Sequence, residues 1–115
     1  MKKKFKLEAS EIKRLIPAIG YCYASEMITV EGMRVGYMYR EESDRNDDSG
    51  WRFFSGEESQ QYADHADNFS IYGVNTIANY DPEIIPFLDS PCGTAFGRDP
   101  NTGEFIQEDF SPSEH

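Results

Sequence analysis

The spacing of apolar and polar positions changes several times along this chain, and each change predicts an element. Ile12, Leu15, Ile16 and Ile19 recur at i, i+3, i+4 and i+7, the spacing of one apolar helical face. Ser10 stands before them as a cap, and Pro17 disfavours helix at Ile16, so a short helix is expected. Tyr21–Ala24 reads as a strand. Ile28–Val35 reads as a hairpin around Glu31-Gly32, which sets Val30 against Met33 and Ile28 against Val35. Alternation then continues, with Val35, Tyr37 and Tyr39 on one face and Gly36, Met38 and Arg40 on the other.

Residues 41–50, EESDRNDDSG, are polar and rich in turn formers. They predict a loop leading into a strand at Trp51–Phe54, antiparallel to Val35–Arg40. In that strand Trp51 and Phe53 share one face and are expected in the core, near Tyr37 and Tyr39 or under the helices. Arg52 and Phe54 share the other face. Arg52 is expected to pair with a neighbouring acid, and Phe54 to meet a second apolar layer. Ser55 and Glu58 fit a capping box ahead of a short helix over Glu57–Ala63. Asp64–Ser70 reads as loop.

Residues 71–90 are apolar without alternation and read as helical turns, with Asp81-Pro82 as a cap and first helical position. Cys92–Arg98 reads as a strand whose small residues, Gly93, Ala95 and Gly97, let a ring or helix approach. Asp99–Gly103 is a turn, Glu104–Gln107 a closing strand, and residues 109–115 a frayed tail. The order of elements predicts a single α+β domain with a mainly antiparallel sheet and short helices. It spans residues 20–108 and follows a basic segment at residues 1–19.

The chain has 115 residues and a net charge of −10, unevenly placed. Six of its eleven basic residues lie in Lys2–Arg14; from Leu15 onward five Arg face nineteen acids. Such a body repels phosphate backbones, which argues against nucleic acid, and it attracts basic proteins. No run approaches the ~18 apolar residues of a membrane span. The basic start lacks the apolar core of an export signal. A cytoplasmic protein is therefore expected, with Cys22 and Cys92 reduced and buried in strands.

Candidate chemistry is sparse. His65 stands in a surface loop, and His115 ends the chain. The Cys and His positions lack zinc-ligand pairing. Asp44, Asn46 and Asp48 have the spacing of a calcium loop, but Ser49 and Ser55 replace its Gly and its bidentate Glu. No Gly-rich phosphate loop is present. No cofactor, no metal and no catalytic residue is expected.

Four strings carry a family resemblance: GYMYREES (Gly36–Ser43), DSGWRFFSGEE (Asp48–Glu58), NTIANYDPEIIPFLDSP (Asn75–Pro91) and GTAFGRDPNTGEF (Gly93–Phe105). Over about Gly20–Glu108 the chain resembles a small bacterial family, once of unknown function and later grouped with predicted immunity proteins of polymorphic toxin systems. The resemblance implies an α+β fold and toxin neutralisation, and it carries over no catalytic residue.

Two readings follow. In the first the chain is a non-enzymatic binding protein for a basic partner such as a toxin. Its candidate contacts are the acids Glu41, Glu42, Asp44, Asp47, Asp48, Glu57 and Glu58. In the second it is a small-molecule-binding or enzymatic domain with a Tyr- and Trp-lined pocket holding Arg40, Arg52 or His65.

Overall fold

The computed structural model describes residues 5–109. Its frame is a six-stranded mixed sheet: β1 (Tyr21–Ser25), β2 (Tyr37–Arg40), β3 (Asp48–Phe54), β4 (Phe69–Gly73), β5 (Thr94–Arg98) and β6 (Phe105–Glu108). The spatial order is β4-β1-β3-β2-β5-β6. Only β1 and β3 run parallel; the other four pairings are antiparallel. The α+β class holds, with one parallel pair that the chain pattern did not predict.

Helices α1 (Glu26–Thr29) and α3 (Val74–Tyr80) and a 3-10 helix at Pro82–Phe87 gather on one face of the sheet. The core lies between the layers. Trp51, Phe53, Met38, Cys22 and Ala24 come from the sheet, and Ile28, Val74, Ile77 and Ile84 from the helices. Helix α2 (Gln60–Ala63) is separate from that layer and packs Tyr62 against Phe69 of β4, ring centroids 6.0 Å apart.

The expected helix across Ile12–Ile19 does not form. A 3-10 turn at Ala9–Glu11, capped by Glu8 and not by Ser10, is followed by non-helical chain. Tertiary partners take the backbone groups a helix would have used. Asn75 Oδ1 accepts from Leu15 N (2.8 Å) and Ile16 N (3.2 Å), and Asn75 and Asn79 both donate to the Lys13 carbonyl at 2.8 Å. Pro17 removes any helical continuation. Only Ile16 of the four apolar residues is buried, and Leu15 is 43 % exposed.

This segment thus lies along the helical layer of its own chain, and its hydrogen bonds to Asn75 and Asn79 run through its backbone groups. Lys13 and Arg14 point to solvent. Asn75→Ala is expected to cost about 1–2 kcal/mol through the lost hydrogen bonds, and to speed tryptic cleavage after Lys13 and Arg14. Cleavage at the wild-type rate would show that something else holds the strap.

The hairpin expected at Ile28–Val35 is also replaced. Ser25 caps α1 through Met27 N (3.1 Å), and Gly32, at φ +80°, ends it. Gly32 N and Met33 N return to the carbonyls of Ile28 and Met27 at 3.0 and 2.9 Å. A Glu-Gly pair serves a helix C-terminus as well as a hairpin turn. Here Ile28, buried against α3, decides between them.

Three smaller corrections concern the middle of the chain. The expected loop and helical turns over residues 64–73 contain β4. Phe69 and Tyr72, on opposite faces, are half-covered and Ile71 is exposed, so no buried face imposes an apolar–polar alternation. The Ser55–Glu58 hydrogen bonds form, with Ser55 N to Glu58 Oε2 at 2.8 Å and Glu57 N to Ser55 Oγ at 3.0 Å. They close a turn at Gly56, φ +92°, and the helix begins later under its own cap, Ser59. Cys92 lies exposed before β5; only Cys22 is buried, and both thiols are free.

Several expectations match: the β2–β3 pairing, Asp81 as cap with Pro82 behind it, β5, the Asp99–Gly103 turn and the closing strand. Of the expected tail, residues 110–115 lie outside the described residues.

Candidate functional site

One sheet face carries the helices. The other carries rings. Register places Ile71, Tyr23, Arg52, Tyr39 and Ala95 in one row across five strands. Phe54 and Tyr37 form the next row, with Gly97 across from Tyr37. The Glu108 carboxylate of β6 lies over Gly97, where a Cβ would strike it. Phe54 stacks on Tyr39 at 5.9 Å and meets Phe69 edge-on at 5.7 Å. This is the second apolar layer that Phe54 was expected to meet. Tyr37 and Tyr39 belong to it and not to the neighbourhood of Trp51.

Arg52 is the only guanidinium in this face among the described residues, and it is 8 % exposed. Its Nε donates to Glu41 Oε2 at 2.7 Å, while Nη1 and Nη2 each donate to one oxygen of Asp48 at 2.9 Å. Nη1 also reaches the Trp51 carbonyl at 3.0 Å. The guanidinium lies 4.7 Å over the Tyr23 ring.

Asp48 and Arg52 are four residues apart in one strand, a separation of about 13 Å in a regular strand. A bulge brings them together. The two-residue step in β1 from Tyr21 to Tyr23 runs beside a four-residue step in β3 from Asp48 to Arg52. Gly50 makes the bulge, at φ +88°, where a Cβ would strike the Glu41 carbonyl oxygen. Ser49 Oγ bridges it, donating to the Tyr21 carbonyl at 2.6 Å and accepting from Trp51 N at 3.1 Å.

The electrostatics follow from this geometry. Hydrogen bonds from Arg52 hold the Asp48 carboxyl well below the usual range, against the opposing effect of burial. Burial would lower the Arg52 pKa, but Asp48 and Glu41 hold it above its ordinary value. Burial, then the nearby Glu41 carboxylate, pushes the Tyr39 hydroxyl up to about 12, so it stays neutral at physiological pH. Burial pushes the Cys22 thiol far up, which leaves it inert as a nucleophile.

A groove of about 510 Å³ opens between this face and α2. Arg52 and Glu41 lie in its floor, the rings of Tyr23, Tyr39, Phe54 and Phe69 form its walls, and Asp64 stands on the α2 rim. Beyond the groove the face is bare at Tyr21 and Ile71, 51 and 52 % exposed.

The acids singled out in the sequence do not form one patch. Those of residues 41–48 lie at one end of β3, and Glu57 and Glu58 beyond the other, with the aromatic face between. Glu41 and Asp48 serve Arg52. Asp47 pairs with Arg45 at 3.4 Å. Glu58 closes the Ser55 turn, and its hydrogen bonds from Ser25 and Ser55 lower its pKa although burial works against them. Glu42, Asp44 and Glu57 are exposed.

Arg40 and His65 are not at the groove. Arg40 Nε and Nη1 donate to the carbonyls of Ser49 and Ser90, both at 2.8 Å, and His65 is exposed at the start of a 3-10 turn. Trp51 is wholly buried on the other face. Of the calcium-like spacing, Asp48 is taken by Arg52, and no cluster among the described residues could hold a metal. Sequence reasoning missed Phe69 and Ile71 because β4 was not read as a strand, and Tyr21 and Tyr23 because nothing local to the β1 strand tells which of its faces stays uncovered.

The family model described as the immunity protein Imm33 domain matches residues 22–109. The chain belongs to the Imm33 immunity-protein family. The match covers the sheet from β1 to β6 and both layers of the Imm33 fold, and leaves the N-terminal strap outside. No curated protein and no solved structure matches the chain.

Proposed function

We propose that this Imm33 protein neutralises a toxin by binding it through the open aromatic face. The observation that carries the reading is the contiguous exposure of Tyr21, Tyr23 and Ile71 beside the groove. Uncovered apolar area of this kind suits a partner, and rigid tyrosines supply contact area at little entropic cost. The flanking acids Glu42, Asp44, Asp47 and Glu57 form a polar rim that steers a basic toxin toward the face. Glu41, Asp48 and Glu58 act indirectly, by shaping the surface they hold together. Blocking by contact needs no chemistry from this chain.

The partner to test is a toxin captured from the native host, or one found by inspecting the genes that flank this one. Tyr21→Ala and Ile71→Ala together are expected to weaken the complex at least about tenfold, mainly through dissociation. Reversing Glu42, Asp44 and Asp47 to Lys should slow association and flatten its salt dependence. No complex at low salt, or one indifferent to both sets, would sink the proposal. The groove favours a second reading, a small-molecule site. Its expected result is a ligand that binds in the groove while toxin binding is absent.

A further inference from the structure

The groove is lined by one guanidinium, Arg52, and two carboxylates, Glu41 and Asp64, and Asp48 pairs with Arg52 from outside the lining. An arginine in an aromatic pocket would ordinarily suggest an anionic ligand. Here four of its five N–H donors are already committed, one of them to the Trp51 carbonyl. Nε is held by Glu41 and both terminal nitrogens by Asp48, at 2.7–2.9 Å. An incoming anion would find one N–H beside two carboxylates, and to bind in bidentate fashion it would have to displace a carboxylate from a charge-assisted pair. The excess charge in the groove is negative, and its walls are π-faces. Tyr23 already accepts one guanidinium on its ring, and such rings attract cations by their quadrupole.

We propose that this groove is the seat for an arginine side chain of the partner protein, which enters between α2 and the sheet and lies against Tyr23, Tyr39 and Phe54 with its charge toward Glu41 and Asp64. The inference rests on the toxin-binding reading and adds the chemistry of its central contact. Charge complementarity selects a cation. The aromatic walls select arginine over lysine, because the planar guanidinium stacks and is more weakly hydrated. The groove is larger than one side chain, so it also takes the backbone on either side of the arginine.

The probe is the capped tripeptide Gly-Arg-Gly, followed by NMR at physiological salt, with Gly-Lys-Gly, Gly-Gln-Gly and Gly-Glu-Gly as comparisons. Saturable shifts centred on Tyr23, Tyr39, Phe54 and Phe69 are expected with Gly-Arg-Gly, weaker ones with Gly-Lys-Gly, and none with the other two. Tyr23→Leu should weaken Gly-Arg-Gly about fivefold and Asp64→Asn about threefold, whereas Glu104→Gln, on the surface away from the groove, should not. Asp64 is exposed, so its amide variant keeps the fold. Equal binding of the glutamine peptide, preference for the glutamate peptide, or shifts spread over other acidic sites would overturn the proposal.

The toxin separates this inference from the reading beneath it. A complex that forms and is unaffected by Tyr23→Leu and Asp64→Asn overturns the arginine seat and leaves neutralisation standing. Selective tripeptide binding with no toxin complex supports the seat and removes the toxin as its source.

Discussion

Arg52→Met is expected to destabilise the protein by about 3–5 kcal/mol, the range for breaking a buried ion pair from one side. Methionine keeps much of the stem that packs near Tyr23, so the loss comes from charge. The Asp48 side chain is 12 % exposed and would keep its carboxylate without either of its guanidinium donors, while Glu41, at 34 %, would be partly rescued by water. Asp48→Asn added to Arg52→Met should therefore recover a large part of the loss, and Glu41→Gln much less. Urea denaturation followed by the fluorescence of Trp51 reads all three. If the single variant loses less than about 1 kcal/mol, the pair is acting as an ordinary surface bridge.

Acid provides an independent check. The Asp48 carboxyl is depressed in the folded state. Its stabilising contribution is thus fully present above its unfolded value, about 3.9, and is lost as pH falls toward the folded value. Wild-type stability should decline as pH drops below about 4, with Asp48 contributing to the slope. Without Arg52 that contribution disappears, so the gap between wild type and Arg52→Met should narrow from pH 7 to pH 3. A constant gap would mean that Asp48 is not the group left uncompensated.

Asp81→Ala is the second large effect, again about 3–5 kcal/mol. Asp81 is 3 % exposed and does three things at once. Its Oδ2 accepts from Val35 N at 3.0 Å and from Arg98 Nη2, and its Oδ1 caps the 3-10 helix through Glu83 N at 3.2 Å. Arg98 Nε meanwhile donates to the Val35 carbonyl at 2.9 Å. The pair clasps both sides of Val35 and ties β5 to the chain leading into β2. Alanine leaves a buried N–H without a partner and a buried guanidinium short of one carboxylate; Arg98 keeps Glu83 at 2.6 Å and the Gly103 carbonyl at 2.7 Å. Asp81→Asn has a single acceptor oxygen, which serves either the Val35 N–H or the Glu83 cap but not both, so it should recover only part of the loss. Equal loss in the two variants would place the effect in the charge alone and not in the cap and the Val35 bond.

The two ion pairs differ in how legible they were. That Arg52 would find an acid followed from its place between acid-rich stretches. Which acids, and with what geometry, depended on a bulge at Ser49-Gly50 that brings positions 48 and 52 together. Nothing in the spacing distinguishes that bulge from a loop end. The cap at Asp81 was readable because Asp-Pro acts locally. Its hold on Val35, 46 residues away, was not.

Failures of local reading have one physical source. The Ile12–Ile19 pattern is a good helical face, yet Asn75 and Asn79 offered its backbone better partners than a helix interrupted by Pro17. The Ile28–Val35 pattern is a good hairpin, yet α3 offered Ile28 a buried place that a solvent-facing turn lacks. In each case the propensity difference between helix and strand is well under the energy of one buried side chain.

By itself the sequence determined the class of fold, the alternation that sends Trp51 and Phe53 inward and Arg52 and Phe54 outward, the turns at glycine and proline, and the family resemblance. These depend on neighbours a few residues apart. Only the tertiary structure decided that β4 pairs with β1, that the outward face stays open, and that Tyr23, Tyr39, Phe54 and Phe69 meet around one guanidinium. Those residues come from four strands, up to 46 positions apart in sequence. Strand order, set by the packing of whole layers, brings them together.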